Sequence, residues 1–281
     1  MSGFILEQGV VQTALRRARE RVDCDLHEAM LERARSGEGL DADDVALLWY
    51  SPLSTVRLLE AARAVRRRAG TALETFSPLY ITNTCDAECR MCGMRRSNRA
   101  LTRETADPAS VEAQLRVLVE RGMHAVALLT GEYRRERRDW AIDVVNRALR
   151  ATQDLGFRHV LINIGSLDPA EFDRLFNGIE RNADGTIAPK VTMCTFQETY
   201  SREAYAKFMG ADPDNPRADF ERRLGNFDRA YDAGMRVANP GVLLGLNTDV
   251  AFEIYALTSH ARHLRARDVE VYLSVPRLRK I

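Results

Sequence analysis

From Pro78 onward the chain alternates short apolar runs with amphipathic stretches of helical period, and this alternation restricts the fold more than any other feature. The apolar runs cover 79–82, 125–130, 159–164, 191–196, 237–246 and 269–275. Between them, helical spacing covers 111–121, 140–155, 169–177, 202–209, 219–234 and 250–266. Six strands, each joined to the next by a helical crossover, require a parallel sheet, either doubly wound or barrel-like. A βα unit takes about 30 residues, so the roughly 200 residues after Pro78 hold six units and not eight.

Residues 1 to about 75 follow a different pattern. Val10, Leu15, Leu26, Met30 and Leu31 lie on loosely helical spacing, continued by Leu47, Leu48, Leu58, Leu59 and Val65. Gly37 and Gly39 divide the region, and Asp41 and Asp43 are plausible caps for the stretch that follows. No chemical motif falls here. The expected organisation is a helical extension over 1–75, packed on a catalytic unit over 76–281.

In parallel α/β folds, ligands gather at the carboxyl ends of the strands. Five consecutive strand ends here carry polar or reactive groups. A cysteine loop follows the first strand, and Thr130-Gly131-Glu132-Tyr133 follows the second. Asn163-Ile164-Gly165-Ser166 ends the third, and 194–200, with Gln197 and Glu198, ends the fourth. Asn239-Pro240-Gly241 interrupts the fifth, which Gly245-Leu246-Asn247 ends.

The cysteine loop carries the most chemistry. Cys85, Cys89 and Cys92 form a C-x3-C-x2-C run with no fourth cysteine nearby. A cubane cluster has four irons, each wanting a ligand, usually a thiolate. Three thiolates leave one iron open, and an open position marks reactive sites, whereas structural zinc takes four ligands. A zinc site is the bland alternative.

The remaining cysteines, Cys24 and Cys194, bring the count to five, and an odd number in 281 residues argues against a disulfide scaffold. Cys194 reads as a small buried apolar group. Residues 1–15 contain Glu7 and no long apolar core, so they do not resemble a signal peptide. No apolar run approaches the roughly 20 residues that span a bilayer. A reducing, cytoplasmic setting is expected. The net charge of +1 gives no overall field toward nucleic acid or membrane. Arg66-Arg67-Arg68 reads as a solvated helix face, and His260 and His263, at i,i+3 spacing without an evident carboxylate partner, are expected to be exposed.

The cysteine spacing directly after a first strand resembles the radical S-adenosylmethionine (SAM) enzymes. Pro78-Leu79-Tyr80-Ile81-Thr82-Asn83 resembles their aromatic amino-acid lyase branch, which includes tyrosine-cleaving 2-iminoacetate synthase. Cys89-Arg90-Met91-Cys92-Gly93-Met94-Arg95, Leu129-Thr130-Gly131-Glu132-Tyr133 and the stretch 191–198 are most similar to the tryptophan lyases that make 3-methyl-2-indolic acid in nosiheptide-type biosynthesis. The similarity extends through 239–246 and 273–277, and covers about residues 40–281.

This resemblance implies a parallel (βα) barrel of the TIM type, partial with about six strands. It implies a [4Fe-4S] cluster on Cys85, Cys89 and Cys92, and SAM chelated to the open iron. One electron would cleave SAM to a 5′-deoxyadenosyl radical, which would take hydrogen from the amino group of an aromatic amino acid, tryptophan first. Fragmentation of a carbon–carbon bond and migration of the carboxyl fragment would follow. The implied SAM contacts are Gly131, Glu132, Met91, Glu198, Arg223 (or its neighbour Arg222) and the backbone near Leu244. Arginine suits the SAM carboxylate because its fork donates two parallel hydrogen bonds. Tyr80 faces the expected barrel interior, where it could touch substrate or pack. Implied partners are the amino-acid substrate and an electron donor of flavodoxin or ferredoxin type. The tryptophan-lyase branch has eight strands and binds the substrate carboxylate with an arginine beyond the sixth. The chain stops at 277–281, so that arginine has no counterpart, and a fragment or truncated product is expected. The readings left open are a tyrosine-type lyase and an inactive cluster-binding remnant.

Overall fold

The computed structural model describes residues 3–70, 73–188 and 190–278. Six strands form one sheet: β1 (Ser77–Tyr80), β2 (Ala125–Leu129), β3 (His159–Asn163), β4 (Lys190–Met193), β5 (Val237–Ala238) and β6 (Glu270–Val271). They lie in sequential order, and every neighbouring pair is parallel. A doubly wound sheet reverses its strand order at a switch point. Uninterrupted order with parallel crossovers keeps all the helices on one side, and a twisted sheet then curls toward closure. The architecture is therefore a partial barrel.

Helices α5 (Pro108–Glu120), α6 (Arg135–Asp154), α7 (Pro169–Leu175), α8 (Arg202–Met209), α9 (Phe220–Leu224), α10 (Asn226–Asp232) and α11 (Val250–Arg265) follow the strands. Alternation along each strand decides which residues meet them. Val126, Leu128, Val160, Ile162, Val191 and Met193 join Leu115, Ile142, Leu149, Phe172 and Leu264 in one core. Ala127, Leu129, Leu161 and Asn163 point the other way and line the barrel interior. Both faces are covered, which explains why the strands read as continuous apolar runs.

Helix starts follow local chemistry. Asp107 accepts from the Ser110 N–H ahead of Pro108 at the first turn, and Asp168 with Glu171 forms a capping box ahead of Pro169. Asp41 caps α3 (Ala42–Trp49) with Asp44 as its reciprocal partner. The other amino-terminal helices are α1 (Gln8–Glu20), α2 (Cys24–Ser36) and α4 (Thr55–Arg68). Leu6, Val11, Leu15 and Ala46 enter a second core shared with Cys89, Tyr200, Tyr205, Leu246, Phe252 and Leu257. This core abuts the carboxyl ends of the strands.

The expected helix over 219–234 divides into α9 and α10 at Gly225, and the expected strand over 237–246 pairs regularly only at Val237–Ala238. Pro240 has no N–H to give a ladder. Pairing resumes as isolated bridges, Gly241 to Ser274 and Leu244 to Arg277. Residues 279–281, at which the similarity was expected to end, lie outside the described residues.

Candidate active site

The loop after β1 is built as a rigid shelf. The Arg103 guanidinium donates to four backbone carbonyls of the loop, those of Asn83 (2.7 Å), Met94 (2.9 Å), Arg95 (2.7 Å) and Asn98 (3.4 Å). The Cys92 N–H donates to Cys89 O (3.0 Å), and Arg90 N–H donates to Phe208 O (2.8 Å) at the end of α8. Asp86 accepts from the Arg134 N–H and pairs with Arg137. Cys85, Cys89, Met91 and Cys92 all belong to the second core. The Glu132 N–H donates to Cys85 Sγ (3.3 Å). Burial raises the Cys85 thiol and pushes Cys89 up to about 12, so both are protonated at neutral pH until a metal displaces the proton. Among the described residues, no three His, Cys, Asp or Glu side chains, the three cysteines included, converge as a single-ion site.

Gly131 lets the loops after β1 and β2 touch. A Cβ there would run into the Thr84 carbonyl oxygen and stand 2.8 Å from Cys85 Cα. The contact places Glu132 beside the cysteines. Its carboxylate is buried at 7% exposure and accepts from the Ser166 N–H (3.2 Å) after β3. It also meets Arg217 Nη1 (3.3 Å) and Arg223 Nη1 (3.5 Å). Arg217 Nη2 continues to Glu198 Oε1 (3.1 Å), and Arg223 Nε donates to Phe196 O (2.9 Å). Two carboxylates and two guanidiniums, contributed from the ends of β2 and β4 and from the segment leading into and through α9, thus form one buried web.

Opposing effects act on the two arginines. Burial disfavours charge on both. On Arg217 it is outweighed by Glu132, Cys89, Tyr205 and Glu198, which raise its pKa well above normal. On Arg223 burial and the neighbouring Arg217 together lower the pKa, although arginine stays charged. Buried charges persist where they are paired and hydrogen-bonded. Arg217 Nε and Gln197 Nε2 nevertheless have no acceptor among the described residues. Two orphaned buried donors beside the web are the chemistry of a polar ligand site.

Glu198 has φ 72°, a left-handed backbone that a non-glycine residue adopts only when held there. Glu198 N–H donates to Gly241 O (3.2 Å), and Leu243 N–H donates to Glu198 O (2.8 Å). Buried Glu253 on α11 anchors the next residues, accepting from Thr199 Oγ1 (2.6 Å), the Tyr200 N–H (2.7 Å) and Asn247 Nδ2 (2.8 Å). A Cβ on Gly241 would meet Phe196 Cδ1 at 2.7 Å and Ser274 O at 2.8 Å, so its close approach is to protein. Leu244, like Met91 and Cys92, is partly buried against the second core. Its backbone N–H and carbonyl are both paired, with Pro276 and Leu278.

Below this rim the barrel interior holds a cavity of about 500 Å³. Its walls are mostly apolar, including Pro78, Ala127, Leu129, Leu161, Phe196 and Leu273. Asn163, Cys194, Asn239 and Ser274 supply polar groups, as does the hydrogen-bonded chain Glu74–His159–Thr192. Cys194 is therefore not a plain packing residue. It is half-buried, its thiol donates to Asn239 Oδ1 (3.3 Å), and burial lifts it to about 11. Tyr80 pairs with Leu129 in register but is 58% exposed, at the sheet's open edge beside Asn83, Glu104 and Gln114.

The two adjacent arginines separate, and both histidines differ from expectation. Arg222 turns away from the web to Asp168, Glu171 and Ser166 O, whereas Arg223 joins it. His260 is buried, accepts or donates at Nδ1 to Tyr200 OH (2.8 Å) and stacks on Phe4 at 4.3 Å. His263 is half-buried against a carboxylate partner, Asp228 (2.7 Å), that the sequence concealed because it lies on α10. Ser166 was placed at the rim without a role, and Arg217 and Glu253 were missed altogether. Arg217 sits in the turn-rich stretch 210–218, where no periodicity marks it, although an arginine in a Pro- and Asp-rich connection was a signal available to follow.

No family model matches the chain. Among curated proteins, 2-iminoacetate synthase of Escherichia coli (strain K12) is 29% identical over 257 residues, covering 89% of this chain and 63% of that protein. The Salmonella typhimurium enzyme of the same name is 28% identical over 258 residues, with the same coverages. The chain thus spans less than two thirds of the length of these relatives. Among solved structures, HydG, a maturase of the FeFe-hydrogenase, matches with a TM-score of 0.81 and 26% identity over 97% of this chain and 58% of that one. Methylornithine synthase matches in fold, with a TM-score of 0.65 at 21% identity.

Proposed function

We propose that this chain is a radical SAM lyase that breaks a carbon–carbon bond of an aromatic amino acid. The observation that carries the reading is the buried Glu132–Arg217–Arg223–Glu198 web touching the shelf that bears Cys85, Cys89 and Cys92. The donor set fits the groups concerned. Three thiols on one loop suit a 4Fe-4S cluster with one free iron. The carboxylates suit an ammonium, and the arginines with the orphaned Arg217 Nε and Gln197 Nε2 suit a carboxylate and hydroxyls. When bound, cluster and SAM supply a 5′-deoxyadenosyl radical, and that chemistry belongs to the cofactors.

The protein's part is placement. The N–H of Glu132 supports the Cys85 sulfur, and such outer contacts tune a metal centre. Glu132 and Glu198 would orient the ammonium, Arg223 and Arg217 would hold the carboxylate, and Met91 and Leu244 would flank the base. The cavity would take the aromatic side chain away from water.

The motifs quoted above favour tryptophan and formation of 3-methyl-2-indolic acid. Tyrosine is the second reading, favoured by the similarity to 2-iminoacetate synthase. Anaerobic reconstitution with iron and sulfide, followed by SAM and dithionite, separates them. Release of 5′-deoxyadenosine that rises with tryptophan supports the first, and a rise confined to tyrosine supports the second. A loaded cluster without SAM cleavage would defeat both. Cys89→Ala is expected to lose cluster colour and cleavage together.

A further inference from the structure

The barrel cavity contains a polar group that the holding of cluster and SAM does not use. Asn163, the last residue of β3, is half-buried and lines the cavity. Its backbone is fixed, because the carbonyl accepts from the Thr130 N–H (3.0 Å) and from Thr130 Oγ1 (3.1 Å), two residues before Glu132 of the web. Its side-chain amide has no hydrogen-bond partner among the described residues. An amide in a mostly apolar wall costs free energy until something bonds it. In ligand cavities, such isolated polar groups fix orientation and specificity.

The neighbours decide what kind of partner fits. Leu129 stands beside Asn163 in the β2–β3 register, and Leu161 lies two residues earlier on the same face. Those two walls suit a flat apolar body. On the other side, Cys194 follows Met193, the β4 partner of Ile162. The Cys194 thiol and the Ser274 hydroxyl both donate to Asn239 Oδ1 (3.3 and 3.1 Å), so toward the cavity they offer only lone pairs. One step deeper, Thr192 is in register with Leu161. Glu74 Oε2 takes the Nδ1 proton of a neutral His159 ring (2.6 Å), and Nε2 then accepts from Thr192 Oγ1 (2.6 Å). That hydroxyl too is left with lone pairs alone. A wall rich in acceptors and poor in free donors selects a ligand that donates and does not accept, and an indole N–H is such a group. A phenol also donates, but it brings lone pairs of its own to a wall already lined with them.

We propose that Asn163 is the specificity-determining residue of the barrel cavity, its Oδ1 accepting the ring N–H of an indole that lies against Leu129 and Leu161. The inference rests on the functional reading above and narrows its substrate class to indole-bearing amino acids. The hydrogen bond sets the facing of the ring, and no covalent bond is made or broken at Asn163.

The test compares indole with benzothiophene, which has the same shape with sulfur in place of the N–H. Both are titrated into the full chain by protein-observed NMR, which needs neither cluster nor SAM. The parent is expected to bind indole at least about tenfold more tightly, the worth of one hydrogen bond. In Asn163→Leu the two rings should bind within about twofold of each other, with the benzothiophene Kd kept, which shows the cavity intact. Asn163→Asp, which retains an acceptor, should keep the preference. Equal affinity of the parent for both rings would overturn the proposal, as would binding of neither or a ratio unchanged in Asn163→Leu. If Asn163→Leu does not fold, the ratios in the parent and in Asn163→Asp decide. On the reconstituted protein, tryptophan should release more 5′-deoxyadenosine than its benzothiophene analogue, 3-(3-benzothienyl)alanine. Equal release would overturn the proposal and leave the lyase reading standing. Absence of SAM cleavage would defeat the lyase reading instead, and the indole-to-benzothiophene ratio would still decide the role of Asn163.

Discussion

At the scale of single residues, the site discriminates between chemically identical neighbours. Arg223 is 4% exposed and reaches Glu132, while Arg222 is half-buried against α7. Arg223→Ala is expected to raise the Kd for SAM at least about tenfold, a loss of roughly 1.4 kcal/mol or more. Arg222→Ala should leave that Kd within about twofold, and calorimetry on the reconstituted protein checks both. Glu132→Gln should weaken SAM similarly and, by leaving buried Arg217 and Arg223 short of a counter-charge, should also lower the thermal midpoint. The cysteines, Glu132 and Glu198 stand out in the sequence because each follows a strand end at a recognisable offset. It could not separate Arg222 from Arg223, since adjacent positions on a helix differ by about 100° and only the finished packing says which one points inward. Arg217 was hidden because its position comes from contacts between loops, which carry no period.

Among elements, α11 shows a buried face more consequential than its sequence promised. His260 is held near pKa 3, chiefly by burial, against the opposing pull of Asp228 and with His263 adding to the shift. Its other close neighbours are the Tyr200 hydroxyl and the rings of Phe4 and Phe227. An unfolded histidine titrates near 6.5. Below that pH the unfolded chain binds a proton that the native state refuses, so stability is complete above about 6.5 and falls as pH drops toward 3. The slope is at most about 1.4 kcal/mol per pH unit. Urea midpoints between pH 7 and 4.5 should show this slope, and His260→Gln should flatten it. Leu15 on α1 is 5% exposed in the second core, so Leu15→Ala should cost about 2–5 kcal/mol, read from the same midpoints. Helices and strands with long, unbroken patterns were legible within a few residues. The fifth strand and the 219–234 helix were not, because Pro240 and Gly225 break hydrogen-bonding and packing at points where apolar spacing continues.

For the whole molecule, order should be graded across the sheet. Strands β2 and β3 are paired on both sides over four or five residues and β4 over four with β3 but two with β5, whereas β5 and β6 contribute two residues each and β1 has one neighbour. Hydrogen exchange measured by mass spectrometry should find the slowest amides in β2 to β4 and the fastest sheet amides in 270–278. Uniform protection across all six would contradict this gradient. The Arg103 clamp has an effect of its own at this scale. Small zinc domains depend on their ion to fold, so a chelator denatures them. Here four carbonyl contacts and a shared apolar core already give the metal-binding loop its shape, and iron would arrive at a finished receptacle. Stripping the inorganic core with a chelator should therefore bleach the protein while leaving its far-ultraviolet circular dichroism unchanged, and the colour should return on remetallation without any refolding phase.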